Sequence, residues 1–159
     1  MSLELNDDVD LLANLIHRGG IITDVEGDTP QEIYEKVCKM IELPEGMTSE
    51  QVYTALCARE EVLSTAVGNG IALPHARAPI MKDEEDQKIC IVYLNHSIDM
   101  KAPDERDVYV MFILLTQNSQ AHLKVLTDLA GLFRNSTFRK ALEIQSDEQA
   151  LSTLIKDLV

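Results

Sequence analysis

The sequence predicts a single α/β domain in which helices cover both faces of a β-sheet. Residues 88–94 and 108–115 are nearly unbroken apolar runs, rich in β-branched and aromatic side chains and bounded by polar turns. Such runs are typical of central strands that are buried on both faces. Amphipathic helical patterns stand before and after these strands, and alternation of this kind defines the α/β class. The 159 residues are most simply one domain spanning residues 1–159, long enough to bury a core.

Two helix starts carry a capping box, in which a threonine and a Glu or Gln three residues later each accept a hydrogen bond from the other's backbone N–H. One is formed by Thr29 and Glu32, with a proline between them that suits the first turn, and the other by Thr48 and Gln51. Apolar residues at helical spacing follow both starts. The first helix is expected to carry Met40 on its apolar face and to end before residue 44, and the second to end near residue 60.

The remaining elements follow from the helical and strand periodicities of the apolar residues. They are a helix over residues 9–16 that ends at Gly19-Gly20, a strand over 20–25, a short strand over 71–73, a helix that Ser119 precedes, a helix over 137–143, and a last helix whose start Ser146 and Gln149 mark.

The chain is acidic, with a formal net charge of −13. This charge argues against non-specific nucleic-acid binding, which needs cationic side chains to displace counterions from phosphates, and it suits a protein partner with a basic face. No apolar run approaches the roughly 18 residues of a membrane span, and no signal-peptide pattern opens the chain. Cys38, Cys57 and Cys90 lie far apart in apolar patterns, so we expect buried thiols and a cytoplasmic protein.

Residues 64–77 are unusually rich in residues that shape the backbone. Gly68 and Gly70 flank Asn69 and permit backbone angles closed to other residues, so we expect a phosphate or partner to contact Asn69 and Gly70 closely. The apolar residues 71–73 indicate a buried strand, and Pro74 stiffens the backbone after it. His75 therefore stands at the carboxyl end of a strand, where open α/β sheets bind ligands.

His75 is the strongest candidate for a chemical role. A lone histidine is usually structural or merely exposed, but Arg59 and Arg77 lie near it in an otherwise acidic chain, and His122 stands at a helix start, where anions are favoured. Neutral imidazole is a good nucleophile, and a guanidinium binds phosphoryl oxygens bidentately. Two histidines and an arginine that converge would suit a phosphoryl group. An alternative is a metal-dependent hydrolase built on the two histidines and nearby carboxylates, but the sequence lacks a His-x-x-x-His or Glu-x-x-His pair.

Several of these segments resemble a known family. Arg59-Glu60, Ser64-Thr65, the block Gly-Asn-Gly-Ile-Ala-Leu-Pro-His at 68–75 and His-Leu-Lys-Val-Leu at 122–126 resemble enzyme IIA domains of the fructose/mannitol class. These belong to the bacterial phosphoenolpyruvate-dependent sugar phosphotransferase system, and the single-domain nitrogen-regulatory IIA proteins are in the same class. The resemblance covers essentially the whole chain, and the Gly-Asn-Gly…Pro-His block is a specific motif.

The resemblance implies a phosphoryl carrier. His75 matches the histidine that accepts a phosphoryl group from the small carrier HPr or its homologue, and Arg59 matches an arginine of the active site. His122 matches the second active-site histidine, which orients or stabilises the phosphoryl group. The implied fold is a mixed, mainly parallel sheet flanked by helices, and the implied transfer needs no metal or organic cofactor.

Two positions depart from that family. Ala66 stands where glycine is common, and Ala76-Arg77 stands where many members have Gly-Lys or Gly-Arg. Arg77 is predicted to be either a second phosphate ligand or a docking contact for the partner. The destination of the phosphoryl group also stays open. It is either a free-standing regulatory role, of the nitrogen-regulatory type, or transfer to a fructose- or mannitol-type IIB partner for sugar uptake.

Overall fold

The computed structural model describes the backbone of residues 3–158 and the side chains of residues 11–158. Within that range no helix has the length and apolar character needed to cross a bilayer. The elements in chain order are α1 (Leu3–Gly19), β1 (Ile21–Val25), α2 (Pro30–Cys38), α3 (Ser49–Val62), β2 (Ala66–Gly68), β3 (Ile71–Ala72), a 3-10 helical turn (Glu84–Asp86), β4 (Lys88–Ile98), β5 (Val108–Leu115), α4 (Ser119–Phe133), α5 (Ser136–Glu143) and α6 (Glu148–Leu158).

The strands of this described range form one mixed sheet in the order β1-β4-β5-β3-β2. β1 runs parallel to β4 and β3 runs parallel to β5, whereas β4–β5 and β3–β2 are antiparallel pairs. The two long apolar runs are the central strands β4 and β5, as the sequence predicts. The α/β class with a mixed sheet is therefore confirmed.

Helices cover both faces of the sheet. Alternate residues of a strand point to opposite faces, and on the central strands both sets are apolar and buried. On β4, Cys90 and Val92 pack into a core with α2 and α3, whereas Ile89 and Ile91 pack into a second core with α1, α4, α5 and α6. Gly19 ends α1 so close to β4 that a Cβ there would stand 2.0 Å from the Ile89 carbonyl oxygen. A side chain at that position would separate the helix from the sheet.

Both predicted capping boxes are present. The Thr29 hydroxyl accepts from the Glu32 backbone N–H at 3.2 Å, and the Thr48 hydroxyl accepts from the Gln51 backbone N–H at 3.1 Å. The Glu32 and Gln51 side chains accept in return from the backbone N–H groups of the two threonines. Local sequence therefore determines where α2 and α3 begin.

The predicted end of α2 is wrong by a few residues, whereas that of α3 is correct to within two. α2 ends at Cys38 because the N–H groups of Met40 and Ile41 both fold back onto the Val37 carbonyl, and Met40 is 62% exposed instead of lying on the apolar face. α3 continues past residue 60 to Val62.

Two helix caps lie one residue from their predicted positions. Asn118, not Ser119, caps α4 by accepting from the Ala121 N–H at 2.8 Å. Asp147, not Ser146, accepts from the Ala150 N–H at 2.9 Å at the start of α6. Amide and carboxylate oxygens are at least as good as a serine hydroxyl at this position, and composition alone does not choose between neighbours.

The segment before His75 contains a strand that sequence reasoning missed. β2 pairs with β3 through a two-residue turn at Asn69-Gly70, where the φ angles are 56° and 79°. A tight hairpin turn requires positive φ at both central positions, and Asn-Gly is the preferred sequence for it. A Cβ on Gly70 would also lie 2.5 Å from the Tyr109 ring. The positive φ angles of the turn and the close approach to Tyr109 explain why Asn and Gly stand at positions 69 and 70.

The three cysteines are free thiols. Cys38 and Cys90 are buried, as predicted, whereas Cys57 is partly exposed on α3. Burial raises the pKa of the Cys38 and Cys90 thiols to about 12. Both thiols are therefore protonated and unreactive at neutral pH.

Candidate functional site

His75 stands where β3 ends beside β5. The parallel pairing places Ile71 opposite Val110, and the register continues to an isolated bridge between His75 and Leu114. The Leu114 backbone N–H donates to the Pro74 carbonyl at 2.9 Å. Because Pro74 has a fixed φ and its carbonyl is tied to a buried strand, the backbone that carries His75 is rigid.

The imidazole of His75 is oriented by its own backbone. Its Nδ1 lies 2.7 Å from the Leu73 carbonyl oxygen. A carbonyl oxygen only accepts hydrogen bonds, so Nδ1 carries the proton and donates it. In the neutral ring Nε2 then holds the lone pair, and among the side chains of residues 11–158 and the described backbone it has no hydrogen-bond partner. The side chain is partly exposed, so Nε2 is available to a reactant.

His122 meets His75 from the first turn of α4, the helix that directly follows β5. The ring centroids of the two histidines are 4.9 Å apart, and their planes are tilted by 54°. His122 Nδ1 lies 2.9 Å from the hydroxyl oxygen of Thr116, the residue after β5. Free backbone N–H groups and the helix dipole favour an anion at this end of α4.

Arg59 stands in the last turn of α3, close enough to His75 for its charge to lower the pKa of that imidazole. Its guanidinium donates to the Leu63 carbonyl at 2.5 Å. A guanidinium has five N–H donors in a planar fork, so most of them stay available to an anion. The structure brings His75 and His122 into contact and places Arg59 near His75, although the three residues lie in separate parts of the chain.

Both histidines are neutral at physiological pH. Burial lowers the pKa of His75 below its ordinary value of 6.5, and the charge of Arg59 lowers it further, against the hydrogen bond to Leu73 and the charge of Glu60. Burial also lowers the pKa of His122, and the nearby His75 adds to the effect. A neutral imidazole is nucleophilic at its unprotonated nitrogen, whereas an imidazolium is not.

A partly buried carboxylate organises the loop before β2. Glu60 Oε2 accepts from the Thr65 backbone N–H at 2.8 Å, and Oε1 accepts from the Thr65 hydroxyl at 2.7 Å and from the Tyr34 phenol at 2.5 Å. The Thr65 carbonyl accepts from the Leu73 N–H at 2.9 Å. The Leu73 carbonyl orients the ring of His75. Glu60 therefore holds, through Thr65, the backbone segment that orients the histidine.

Sequence reasoning did not identify Glu60, Thr65, Tyr34 or Thr116 as site residues. A carboxylate beside an arginine at a helix end was an available signal for Glu60, and a polar residue directly after a buried strand was one for Thr116. Tyr34 had no such signal, because its contact with Glu60 arises only when α2 packs against α3.

Asn69 and Gly70 were expected to contact phosphate or partner, and the structure places them away from His75, which does not suit a phosphate ligand. They form the hairpin turn at the far end of β3, where the Asn69 N–H donates to the Asp104 carboxylate and the Tyr109 N–H donates to the Gly70 carbonyl, each at 2.8 Å. At about 3.3 Å per residue of strand, Gly70 lies roughly 16 Å from His75. The two residues build the turn, and their contact with a partner stays a prediction.

Arg77 stays at the edge of the site, two residues after His75. Its side chain is exposed, and it has no hydrogen bond or ion pair with the side chains of residues 11–158 or with the described backbone. Both alternatives for Arg77, a phosphate ligand and a docking contact, therefore stay open to experiment.

No group of three or more His, Cys, Asp or Glu side chains in the described part of the chain is placed to hold a metal ion. The metal-hydrolase alternative therefore has no ligand set among these residues. What the site offers is one imidazole with a free lone pair, a second imidazole, a guanidinium and a helix start. That set is suited to a phosphoryl group.

The fold and this histidine pair define a class of protein. Residues 14–158 match the family model described as phosphoenolpyruvate-dependent sugar phosphotransferase system, EIIA 2. The chain belongs to this enzyme IIA family.

Within the family, the chain is similar to nitrogen regulatory proteins. The one from Pseudomonas aeruginosa is 26% identical over 151 residues, which cover 92% of this chain and 96% of the relative. The one from Bradyrhizobium diazoefficiens is 32% identical over 129 residues, 79% of this chain and 80% of the relative. The structure of the nitrogen regulatory protein IIA-Ntr from Neisseria meningitidis matches with a TM-score of 0.76 at 26% identity, covering 91% of this chain and 99% of that one.

Proposed function

We propose that this chain is a phosphoryl carrier of the bacterial phosphotransferase system and that His75 is its acceptor. The observation that carries the proposal is the 2.7 Å hydrogen bond from His75 Nδ1 to the Leu73 carbonyl. This bond leaves the lone pair on Nε2, and the lowered pKa keeps the ring in its neutral form. A partly exposed, pre-oriented and neutral imidazole is what a phosphoryl acceptor requires.

The transfer is a displacement at phosphorus. The Nε2 lone pair of His75 forms a new N–P bond while the P–N bond to the histidine of an HPr-like phosphocarrier breaks. The electron pair of the broken bond stays on the carrier, and the phosphoryl group moves with its three oxygens. The step balances without an oxidant, a cofactor or a water molecule.

Positioning and charge stabilisation supply the rest of the chemistry. The Arg59 guanidinium binds the phosphoryl oxygens and offsets their charge. His122, whose ring centroid lies 4.9 Å from that of His75, contacts the same group from the other side. The start of α4 adds a weaker attraction for negative charge.

The comparisons favour a regulatory destination for the phosphoryl group. Two relatives that align over most of their length are nitrogen regulatory proteins. In this role phosphorylated His75 is a signal that target proteins in the cytoplasm read. The alternative is transfer to a fructose- or mannitol-type IIB partner. It is retained because the mannitol enzyme IIA of Escherichia coli, solved in complex with phosphorylated enzyme IIB, shares the fold with a TM-score of 0.65 at 14% identity.

The net charge of −13 bears on the partners. An acidic surface repels nucleic acid and speeds the encounter with a carrier protein that has a basic face. The HPr-like phosphocarrier is therefore expected to dock through basic residues, and its association rate should fall as salt is added.

The test is phosphorylation in a reconstituted system. The protein is incubated with phosphoenolpyruvate, enzyme I and an HPr-like carrier, and intact mass is measured before and after acid treatment. We expect a gain of one acid-labile phosphate in the wild type and in His96→Ala, a matched control whose histidine is exposed on β4. His75→Ala should stay unmodified, and phosphate on that variant would overturn the assignment.

A second arm separates the two destinations. The phosphorylated protein is mixed with fructose- and mannitol-type IIB proteins, and loss of its phosphate is followed by mass. Rapid transfer to either would favour sugar uptake. Retention of the phosphate, together with altered binding to a regulatory target, would favour the regulatory role.

A further inference from the structure

The buried hydroxyl group of Thr116 contacts His122, the second histidine of the site. Thr116 is 2% exposed, and its Oγ1 lies 2.9 Å from Nδ1 of His122. Among the described backbone and the side chains of residues 11–158 this is the only hydrogen bond of the Thr116 hydroxyl. The direction of the bond therefore determines which nitrogen of His122 carries the proton.

The direction follows from hydrogen-bond accounting. A hydroxyl has one proton to donate, and His122 Nδ1 is the acceptor within reach. If Nδ1 were protonated and donated to Thr116, the hydroxyl proton would be left unpaired in a buried position, which is unfavourable. The Thr116 hydroxyl therefore donates to Nδ1. In the neutral ring, the proton of His122 is then on Nε2.

The backbone holds Thr116 in this place. Its carbonyl accepts from the Met81 N–H at 3.1 Å, and the next N–H, of Gln117, donates to the side-chain oxygen of Gln87 at 2.8 Å. Gln87 is itself only 3% exposed. The turn between β5 and α4 is thus fastened to the segment that follows His75, and the hydroxyl is directed at His122.

We propose that Thr116 is a positioning residue that fixes His122 in the tautomer with Nε2 protonated. The two histidines of the site then have opposite tautomers. His75 is protonated at Nδ1 and offers a lone pair at Nε2, whereas His122 offers an N–H donor at Nε2. One ring is prepared to attack phosphorus, and the other is prepared to donate a hydrogen bond to a phosphoryl oxygen while still neutral.

The consequence for transfer rests on the proposed function, but the tautomer itself does not. A neutral His122 in the opposite tautomer would direct a lone pair at the negatively charged phosphoryl oxygens, which is repulsive. Setting the tautomer in the folded protein removes the need for a proton to move before each transfer.

The first test observes the tautomer directly. Ring nitrogens of ¹⁵N-labelled protein are assigned by NMR in the wild type, Thr116→Val, Thr116→Ser and Thr127→Val. Thr127 is a matched control, because its hydroxyl bonds only to a carbonyl on the exposed side of α4. We expect protonated Nε2 on His122 in the wild type, in Thr116→Ser and in Thr127→Val, and a mixture of tautomers in Thr116→Val. A proton on Nδ1 of His122 in the wild type would overturn the proposal, whether or not His75 proves to be phosphorylated.

The second test measures phosphoryl transfer. Thr116→Val should slow acceptance from the carrier about tenfold, the effect of one misdirected hydrogen bond, and Thr116→Ser should restore the rate. In a His122→Ala background, Thr116→Val should cause no further loss, because Thr116 acts through His122. An equal loss in both backgrounds would show a merely structural role and would contradict the proposal.

Discussion

The rings of His75 and His122 lie with their centroids 4.9 Å apart, and each ring makes a hydrogen bond through its Nδ1 atom. The Leu73 carbonyl accepts from His75 at 2.7 Å, and the Thr116 hydroxyl contacts His122 at 2.9 Å. Both Nε2 atoms are thereby left for a third group. Four predictions test how this pair and its supports behave.

The first prediction concerns pH. Both histidines have a pKa lowered mainly by burial, from an ordinary value of 6.5. As pH falls below 6.5, the unfolded chain binds protons that the folded site resists, so the free energy of unfolding should decrease between that pH and the lower folded pKa values. Denaturant unfolding at a series of pH values measures this slope. A steeper decrease in His75→Ala than in the wild type would contradict the assignment.

The same prediction has a spectroscopic form. His75→Ala opens the site and removes the neighbouring imidazole, whose protonation contributes to the lowered pKa of His122. The pKa of His122 should therefore rise toward its ordinary value. An NMR titration of the His122 ring protons measures it, with His96→Ala as the control that should leave the titration unchanged. A lower pKa for His122 in His75→Ala would be the wrong sign.

The second prediction concerns the support behind the site. The Tyr34 side chain is fully buried, and its phenol donates to the Glu60 carboxylate at 2.5 Å. Tyr34→Phe should lower the free energy of unfolding by about 1–2 kcal/mol, because a buried hydrogen bond to a charged acceptor is lost. Phosphoryl acceptance should persist, since Thr65 still donates twice to Glu60.

Tyr109→Phe is the matched control for this variant. Within the described residues the Tyr109 hydroxyl has no hydrogen bond, so its removal should change stability by less than about 0.5 kcal/mol. The denaturant midpoints of the two variants are compared with that of the wild type, with the slope of the unfolding free energy against denaturant unchanged. Equal effects for the two variants would mean that the bond to Glu60 contributes nothing.

The third prediction concerns the hairpin turn. Gly70 has a φ of +79°, and a Cβ there would meet the Tyr109 ring at 2.5 Å. Gly70→Ala should therefore lower the free energy of unfolding by about 2 kcal/mol. Gly131→Ala, on the exposed side of α4 with nothing within 4 Å of the new Cβ, should stabilise it by about 0.5–1 kcal/mol. Thermal unfolding of the pair checks both signs.

The fourth prediction separates the alternatives for Arg77. Because its exposed side chain has no partner among the described side chains, those of residues 11–158, we expect it to contact the phosphocarrier. Arg77→Ala should raise the KM for the carrier by about twofold to fivefold and weaken the dependence on salt, with little change in kcat. A fall in kcat at saturating carrier would instead identify Arg77 as a phosphate ligand.

Local sequence predicted most of the elements, because helix starts and strand patterns depend on residues a few positions apart. The capping boxes at Thr29 and Thr48, the central strands and the place of His75 after a short strand are examples. The errors are also local. The pattern predicts a serine cap for α4 where the neighbouring Asn118 provides it, and it misses the strand β2 and the Asn-Gly hairpin turn, whose positive φ angles are the signature of a tight turn.

The sequence by itself indicated the class of protein through its resemblance to enzyme IIA domains, and it indicated the candidate acceptor because a glycine-rich turn, a proline and a histidine stand close together in the chain. Only the tertiary structure decided the composition of the site. His122 meets His75 because β3 and β5 are parallel neighbours whose carboxyl ends share one edge of the sheet. Strand order depends on how the whole chain buries its two cores. The contacts of Thr116 and Glu60, and the distance of Asn69 from the site, arise from that packing.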